Sequence, residues 1–397
     1  MSVPVPFELN IDEQAITDLK TRLALTRLPD EPPGSGWKHG TALGTIQRIA
    51  DYWQHEFDWR AQEARLNRFE QGTVAIDGIG VHYLRAPGKQ APGAPEPMPL
   101  LLVHGWPGSI FEFLDIIERL TDPEKFGGDP ADSVTVIAPS LPGFTLSFAP
   151  YQPRCDLEQM TSILTRLMTE QLGYQKFGAQ GGDWGSFIVS RMASESPEFL
   201  TGIHLNMMPL RRDKKLFVNA SGDELRYEEE LKIFLREETG YQAIQGTRPQ
   251  TLAYALNDSP TGLAAWQLEK FQRWTDCNVI PDTAVDLDTM LANISLYWFT
   301  GCIGSSFWPY YVRHHGPWPI SQERTIDVPA AYAEFPCEIL RPPRSLAEHV
   351  YTDIRRWTVM PKGGHFAALE QPEALAGEIQ AFFRSLRNPD IQLPRLI

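Results

Sequence analysis

Lys176-Phe-Gly-Ala-Gln-Gly-Gly-Asp-Trp-Gly-Ser186 is the stretch whose reading decides the fold. Its first half is short and largely apolar, which predicts a strand over 176–180. Gly181-Gly182-Asp183-Trp184-Gly185 comes next, and a helix is expected from Ser186. Glycines flank Asp183 where side chains would clash in a tight strand-to-helix turn. An aspartate at the tip of such a turn is either an exposed nucleophile or merely the cap of the following helix.

The surrounding sequence repeats the strand, glycine turn, helix rhythm. Upstream, the apolar run Met98 to Val103 ends in His104-Gly-Trp-Pro-Gly-Ser109, and the run Ser133 to Ala138 ends in Pro139-Ser-Leu-Pro-Gly143. A helix opens at Asp156 with Gln159 three residues on, the pattern of a capping box. Its apolar face is Met160, Ile163, Leu164, Leu167 and Met168, and Gly173 ends it. Downstream, Gly202 to Leu205 predicts a fourth strand. This alternation implies an α/β fold, with a mostly parallel sheet and helices on both faces.

The flanks read differently. Gln14 to Trp59 has helical periodicity, and a hairpin is expected from Thr73-Val-Ala-Ile76, the turn Asp77-Gly78 and Gly80-Val-His-Tyr-Leu84. A Pro/Gly/Ala-rich connection over 86–97 leads into the sheet. From about Met207 to Ile320 the alternation gives way to a helical, aromatic-rich block, expected to cap the active face. Strands are then expected over Pro336 to Leu340 and Asp353 to Met360, with a last helix from Pro372 to Arg387. The expected organisation is an N-terminal lobe (1–95), a core in two parts (96–208 and 321–397) and an inserted helical cap (209–320).

Composition excludes several function classes. The 397 residues carry a formal charge of -14, which argues against a nucleic-acid footprint or an anionic-membrane patch. No signal peptide or run of roughly 20 apolar residues is evident, so no membrane span is expected. Four scattered cysteines (Cys155, Cys277, Cys302, Cys337) lack metal-site spacing and read as reduced thiols of a cytoplasmic protein. No metal and no cofactor is expected.

A sharp turn of the form small-x-nucleophile-x-small is the nucleophile elbow of the α/β-hydrolase fold, and 181–185 fits it with aspartate at the apex. A carboxylate is ionised at neutral pH and needs no base to activate it. It suits displacement at a saturated carbon, leaving an ester that an activated water must then cleave. The backbone N–H groups of Trp106 and Trp184 are candidates for the oxyanion hole, and His104 reads as structural. Of the nine histidines, His365 in Gly363-Gly-His-Phe366 alone combines a loop after the last strand with the expected chain order for the base. The acid that orients it is Glu338 or, alternatively, Asp353.

Together these residues resemble the microsomal-type epoxide hydrolase family and its soluble bacterial and fungal members. The matching strings are Phe57-Asp-Trp-Arg60 with Glu63, Leu66 and Asn67; His104-Gly-Trp-Pro-Gly-Ser109; Pro139-Ser-Leu-Pro-Gly-Phe144; Gln180-Gly-Gly-Asp-Trp-Gly185; Asn257-Asp-Ser-Pro260; Ser295-Leu-Tyr-Trp298; and Gly363-Gly-His-Phe-Ala-Ala368. They run collinearly along nearly the whole chain. The resemblance implies that Asp183 is the nucleophile, His365 the base and Glu338 its acid. It also implies two cap tyrosines that hydrogen-bond the oxirane oxygen, Tyr241 and Tyr310, with Tyr311 one residue away from the second. A small-molecule epoxide of apolar or aromatic character is the implied substrate, and a homodimer the implied assembly. One departure is Phe69-Glu-Gln-Gly72, where the family often has Phe-Pro-Gln-Phe, so local packing of the N-terminal lobe is expected to differ.

Two rivals need other equipment. A haloalkane dehalogenase also uses an elbow aspartate, but requires N–H donors around the leaving halide, for which Trp184 is available. A non-catalytic ligand-binding relative would have lost the triad. Aspartate at the apex disfavours a serine esterase.

Overall fold

The computed structural model describes residues 3–387 apart from 91, 94–95, 212–216 and 218–219. Its centre is a nine-stranded sheet, among the described residues, built from β1 (Val5–Pro6), β2 (Glu70–Ile76), β3 (Ile79–Ala86), β4 (Met98–Val103), β5 (Val134–Pro139), β6 (Phe177–Gly181), β7 (Leu200–Leu205), β8 (Ala330–Glu334) and β9 (Ile354–Val359). The spatial order is β1-β2-β3-β5-β4-β6-β7-β8-β9. β1, β2, β3 and β5 pair antiparallel, and β5, β4 and β6 to β9 pair parallel. The expected hairpin is β2–β3, with Asp77 and Gly78 both at positive φ, 51° and 78°, as a two-residue turn between twisted strands requires.

The parallel strands read as continuous apolar runs because both faces are covered. Leu100 to Val103 are wholly buried. Helices Leu157–Arg166 and Asp183–Glu195 pack together, as do Leu114–Thr121 and the C-terminal helix Pro372–Arg387. The capping box is formed: Asp156 accepts from the Gln159 N–H, and Gln159 accepts from the Asp156 N–H.

Strand order reverses at β4, which lies between β5 and β6. Ligands bind outside the carboxyl ends of strands at such a switch point. Here the loop after β4, starting at His104, meets the turn after β6, which carries Asp183.

The chain before β2 is helical and stitched to the body of the molecule. Asn67 clamps the N-terminal arm, accepting from the Leu9 N–H at 2.9 Å and donating to its carbonyl at 2.8 Å. Glu63 accepts from the Ile11 N–H. The Trp53 indole donates to Ser295 Oγ at 2.9 Å, tying this lobe to helix Leu287–Thr300. At the departure from the family string, Gly72 faces Tyr83 across the hairpin, and the Tyr83 ring occupies the space a Cβ would need.

Between β7 and β8 the chain is helical, including Gly240–Thr247, Pro260–Trp274, Leu287–Thr300 and Trp308–His315. One expectation fails here. The strand placed over Pro336 to Leu340 is not formed; β8 comes earlier, over Ala330–Glu334, and Cys337 makes only an isolated bridge to Gly364. Pro336 has no N–H to give a ladder, so pairing stops before it. The helix after the elbow also begins earlier than Ser186, at Asp183 itself. Among the described residues, no helix is long and apolar enough to cross a membrane.

Candidate active site

Asp183 sits at φ 47°, a left-handed conformation rare for a side chain other than glycine. The turn is held by close packing: a Cβ on Gly185 would fall 2.0 Å from the Val103 carbonyl oxygen, so only glycine lets the helix start this near the end of β4. The strained residue is thereby pushed out beyond the strand ends, as expected of a functional site.

Its two carboxylate oxygens have different partners. Oδ1 accepts from the Trp106 backbone N–H at 2.7 Å. Oδ2 lies 3.5 Å from His365 Nε2. The Trp106 amide, one of the two expected oxyanion-hole donors, thus already bonds the carboxylate, whereas the Trp184 amide makes no hydrogen bond to Asp183. His365 Nδ1 donates to Glu338 Oε1 at 2.6 Å, and that same oxygen accepts from the Ile339 N–H at 2.7 Å. Glu338 reaches His365 from four residues past the end of β8, in a loop rather than on a strand. Asp353, the rival acid, is instead paired with Arg355.

Burial by itself would push the His365 imidazole down, but the Glu338 and Asp183 carboxylates flanking it outweigh this and hold it well above the ordinary histidine range. The two carboxylates thus favour the protonated imidazole. His104 is different. Its Nε2 accepts from the Leu141 N–H at 3.1 Å and Nδ1 faces the Gly105 carbonyl at 3.0 Å, so it braces two loops; burial lowers it to about 4.

The structure brings Tyr241 and Tyr310 together over Asp183. Their rings are 5.5 Å apart and both line the cavity that Asp183 closes. Trp106 stacks on Tyr241 at 5.3 Å, and Trp184 meets Tyr310 edge-on at 4.8 Å. Tyr311 faces elsewhere, stacked on Trp308 and against His315. The Tyr241 hydroxyl accepts from Gln242 Nε2 at 2.9 Å, which leaves its own proton to donate. Gln242 is held in turn by Arg313. The Tyr310 hydroxyl is buried beside the Trp184 indole and the Tyr241 hydroxyl and, among the described residues, makes no well-formed hydrogen bond. Burial and the nearby carboxylate raise both phenols, so both stay protonated.

The cavity has a volume of about 360 Å³, within the range of small-molecule sites. Phe187, Met208, Leu210, Phe234 and Leu340 give it apolar walls. Several residues that shape the site escaped the sequence reading. The Lys270 ammonium lies 4.3 Å from the Tyr241 ring centroid, and Trp274 packs against His365 at 5.0 Å while its carbonyl accepts from the His365 N–H. Both are on helix Pro260–Trp274, where their spacing is that of ordinary core positions, so no local signal marked them.

An aspartate at a strand-to-helix elbow, a late histidine bonded to a glutamate and an amide at the switch point are the arrangement of the α/β-hydrolase class. Comparison with known proteins narrows it. The chain matches the "Epoxide hydrolase N terminus" family over residues 4–113 and the "alpha/beta hydrolase fold" family over 98–281. It is 37% identical to Epoxide hydrolase 1 of Oryctolagus cuniculus, across 95% of this chain and 88% of that one. The crystal structure of juvenile hormone epoxide hydrolase from the silkworm Bombyx mori superposes with a TM-score of 0.88 at 29% identity, covering 98% of this chain and 96% of that one. The Aspergillus niger epoxide hydrolase structure gives 0.82 at 27%, covering 96% of each. The chain belongs to the epoxide hydrolase family.

Proposed function

We propose that the protein hydrolyses an apolar epoxide to a vicinal diol through an ester on Asp183. The observation that carries this reading is the division of labour around one carboxylate: Oδ1 is held by an amide, Oδ2 faces a histidine, and two phenols stand over the same cavity.

In the first step Oδ2 attacks an epoxide carbon and the C–O bond of the ring breaks. Tyr241 or Tyr310 donates its proton to the oxygen that leaves. Esterification removes the negative charge of Asp183, one of the two charges that favour protonated His365, so the imidazole yields its proton and the phenolate left by the donor tyrosine is reprotonated. In the second step neutral His365, oriented by Glu338, takes a proton from water. The resulting hydroxide adds to Cγ of Asp183, and negative charge collects on Oδ1, where the Trp106 amide already points. Such a donor contributes roughly 2.7–4 kcal/mol to the transition state. The intermediate collapses, the diol oxygen leaves with the His365 proton, and the new carboxylic acid of Asp183 passes its proton to the imidazole, which restores the resting carboxylate and protonated His365. The Trp184 amide supplies a second donor as charge develops.

A second reading has one observation in its favour: the indole N–H groups of Trp106 and Trp184 are buried without hydrogen-bond partners among the described residues, as halide donors would be. Parallel assays separate the two. Diol formation from styrene oxide and an aliphatic epoxide, without halide release from a chloroalkane, is the expected result; halide release without diol would reverse the assignment.

A further inference from the structure

Asp183 lines two spaces. One face closes the apolar cavity under the two tyrosines. The other borders a separate cavity of about 20 Å³, bounded by Trp106, Glu112, Asn206, His365 and Phe366. That volume holds about one water molecule, and a water there needs two to four polar partners.

We propose that Glu112 is the positioning residue for the water that releases the ester, a role that rests on the proposed two-step reaction through Asp183. Glu112 belongs to the short turn of helix Ile110–Phe113, capped by Ser109, whose hydroxyl accepts from the Phe111 N–H. Its carboxyl makes no hydrogen bond to any described residue, yet it faces the cavity shared by Asp183 and His365. The turn is shaped around it: a Cβ on Gly108 would fall 1.3 Å from Glu112 Oε1, so the carboxyl occupies the place where any other residue's side chain would start. A carboxyl in that position accepts one proton of the water while His365 Nε2 takes the other. The remaining lone pair then points at Cγ of Asp183, from the side opposite the substrate. The water's O–H bond breaks toward His365, the new C–O bond forms on Cγ, and the bond to the diol oxygen breaks as that oxygen takes the proton back.

The groups titrating around Glu112 are Asp183, His365 and Tyr297. Burial pushes Glu112 up to about 8, a rise that His365 opposes and Asp183 assists, so at neutral pH it faces the Asp183 carboxylate mostly as an uncharged acid. A neutral carboxyl still offers an acceptor oxygen, and it adds no charge beside the oxyanion.

The test compares ester formation with ester release. Wild type, E112A, E112Q and H365Q are mixed with excess styrene oxide in a stopped-flow instrument, indole fluorescence is followed, and the Asp183 peptide is weighed. In E112A release slows by about 10²-fold, the effect of a misplaced reactant, and slows more than formation does, so ester accumulates during turnover. E112Q, which keeps the acceptor, is slowed less and loses the alkaline limb of the release rate. Equal slowing of both steps with an unchanged pH profile would mean Glu112 is merely structural, and release from E112A at the wild-type rate would overturn its role outright. H365Q separates the two levels: if it holds ester while E112A releases normally, only the role of Glu112 fails. If H365Q forms no ester on Asp183, the underlying reaction fails instead.

Discussion

Tyr310→Phe separates stability from catalysis at one oxygen atom. The Tyr310 ring is 2% exposed and packed by Trp106, Trp184 and Tyr241, contacts that phenylalanine keeps. Among the described residues its hydroxyl makes no well-formed hydrogen bond. A buried polar group left unpaired costs about 1–3 kcal/mol, so its removal relieves a penalty rather than breaking a bond. The variant is expected to melt at or slightly above the wild-type temperature, since a chain of this size gains roughly 1 °C per kcal/mol. Ring opening, by contrast, loses a donor to the departing oxygen, and such donors are worth on the order of 10²-fold or more in rate. Scanning calorimetry and stopped-flow measurement of ester formation read the two quantities on one sample. Tyr241→Phe is the control: it strands the Gln242 amide that now donates to the hydroxyl, so it should lose stability as well as rate. A Tyr310→Phe protein that unfolds earlier yet opens the ring at wild-type speed would refute this reasoning.

Two further outcomes are expected from the same geometry. Glu338→Gln keeps the side chain's shape but turns an acceptor toward His365 into an amide, and the wrong imidazole tautomer should slow ester release by about 10³–10⁴-fold in single-turnover experiments. His204 is wholly buried, both ring nitrogens lack a hydrogen-bond partner among the described residues, and burial lowers it to about 4. Above the ordinary histidine value it costs the native state no protonation energy. As pH falls from about 6.5, the unfolded chain takes up a proton that the native ring resists, so stability is lost down to about 4, by roughly 3 kcal/mol at most. His204→Leu should flatten that part of the acid-stability curve in pH-dependent melts; an unchanged slope would exclude His204 as a source.

The sheet was readable because burial on both faces leaves apolar runs that glycine turns interrupt, and the elbow because its tight geometry demands small residues around Asp183. Chain order singled out His365. What local pattern misjudged was Glu338. Residues 336–340 look strand-like, but Pro336 stops the ladder, and the glutamate meets His365 from a loop whose course depends on β8, an alanine-rich strand with little periodic signal. Glu112 and Lys270 left no mark at all. Each is a charged residue in an ordinary amphipathic setting, and only the three-dimensional meeting of the turn after β4, the helix Pro260–Trp274 and the elbow gives either a role.

The covalent intermediate is the point at which the proposed chemistry is most exposed to disproof. His365→Gln protein should be treated with styrene oxide, digested and weighed. A mass gain equal to one whole epoxide on the peptide carrying Asp183, absent from the Asp183→Asn variant, is the predicted result. An unmodified Asp183 peptide beside continued diol formation, or the adduct on a different residue, would contradict it.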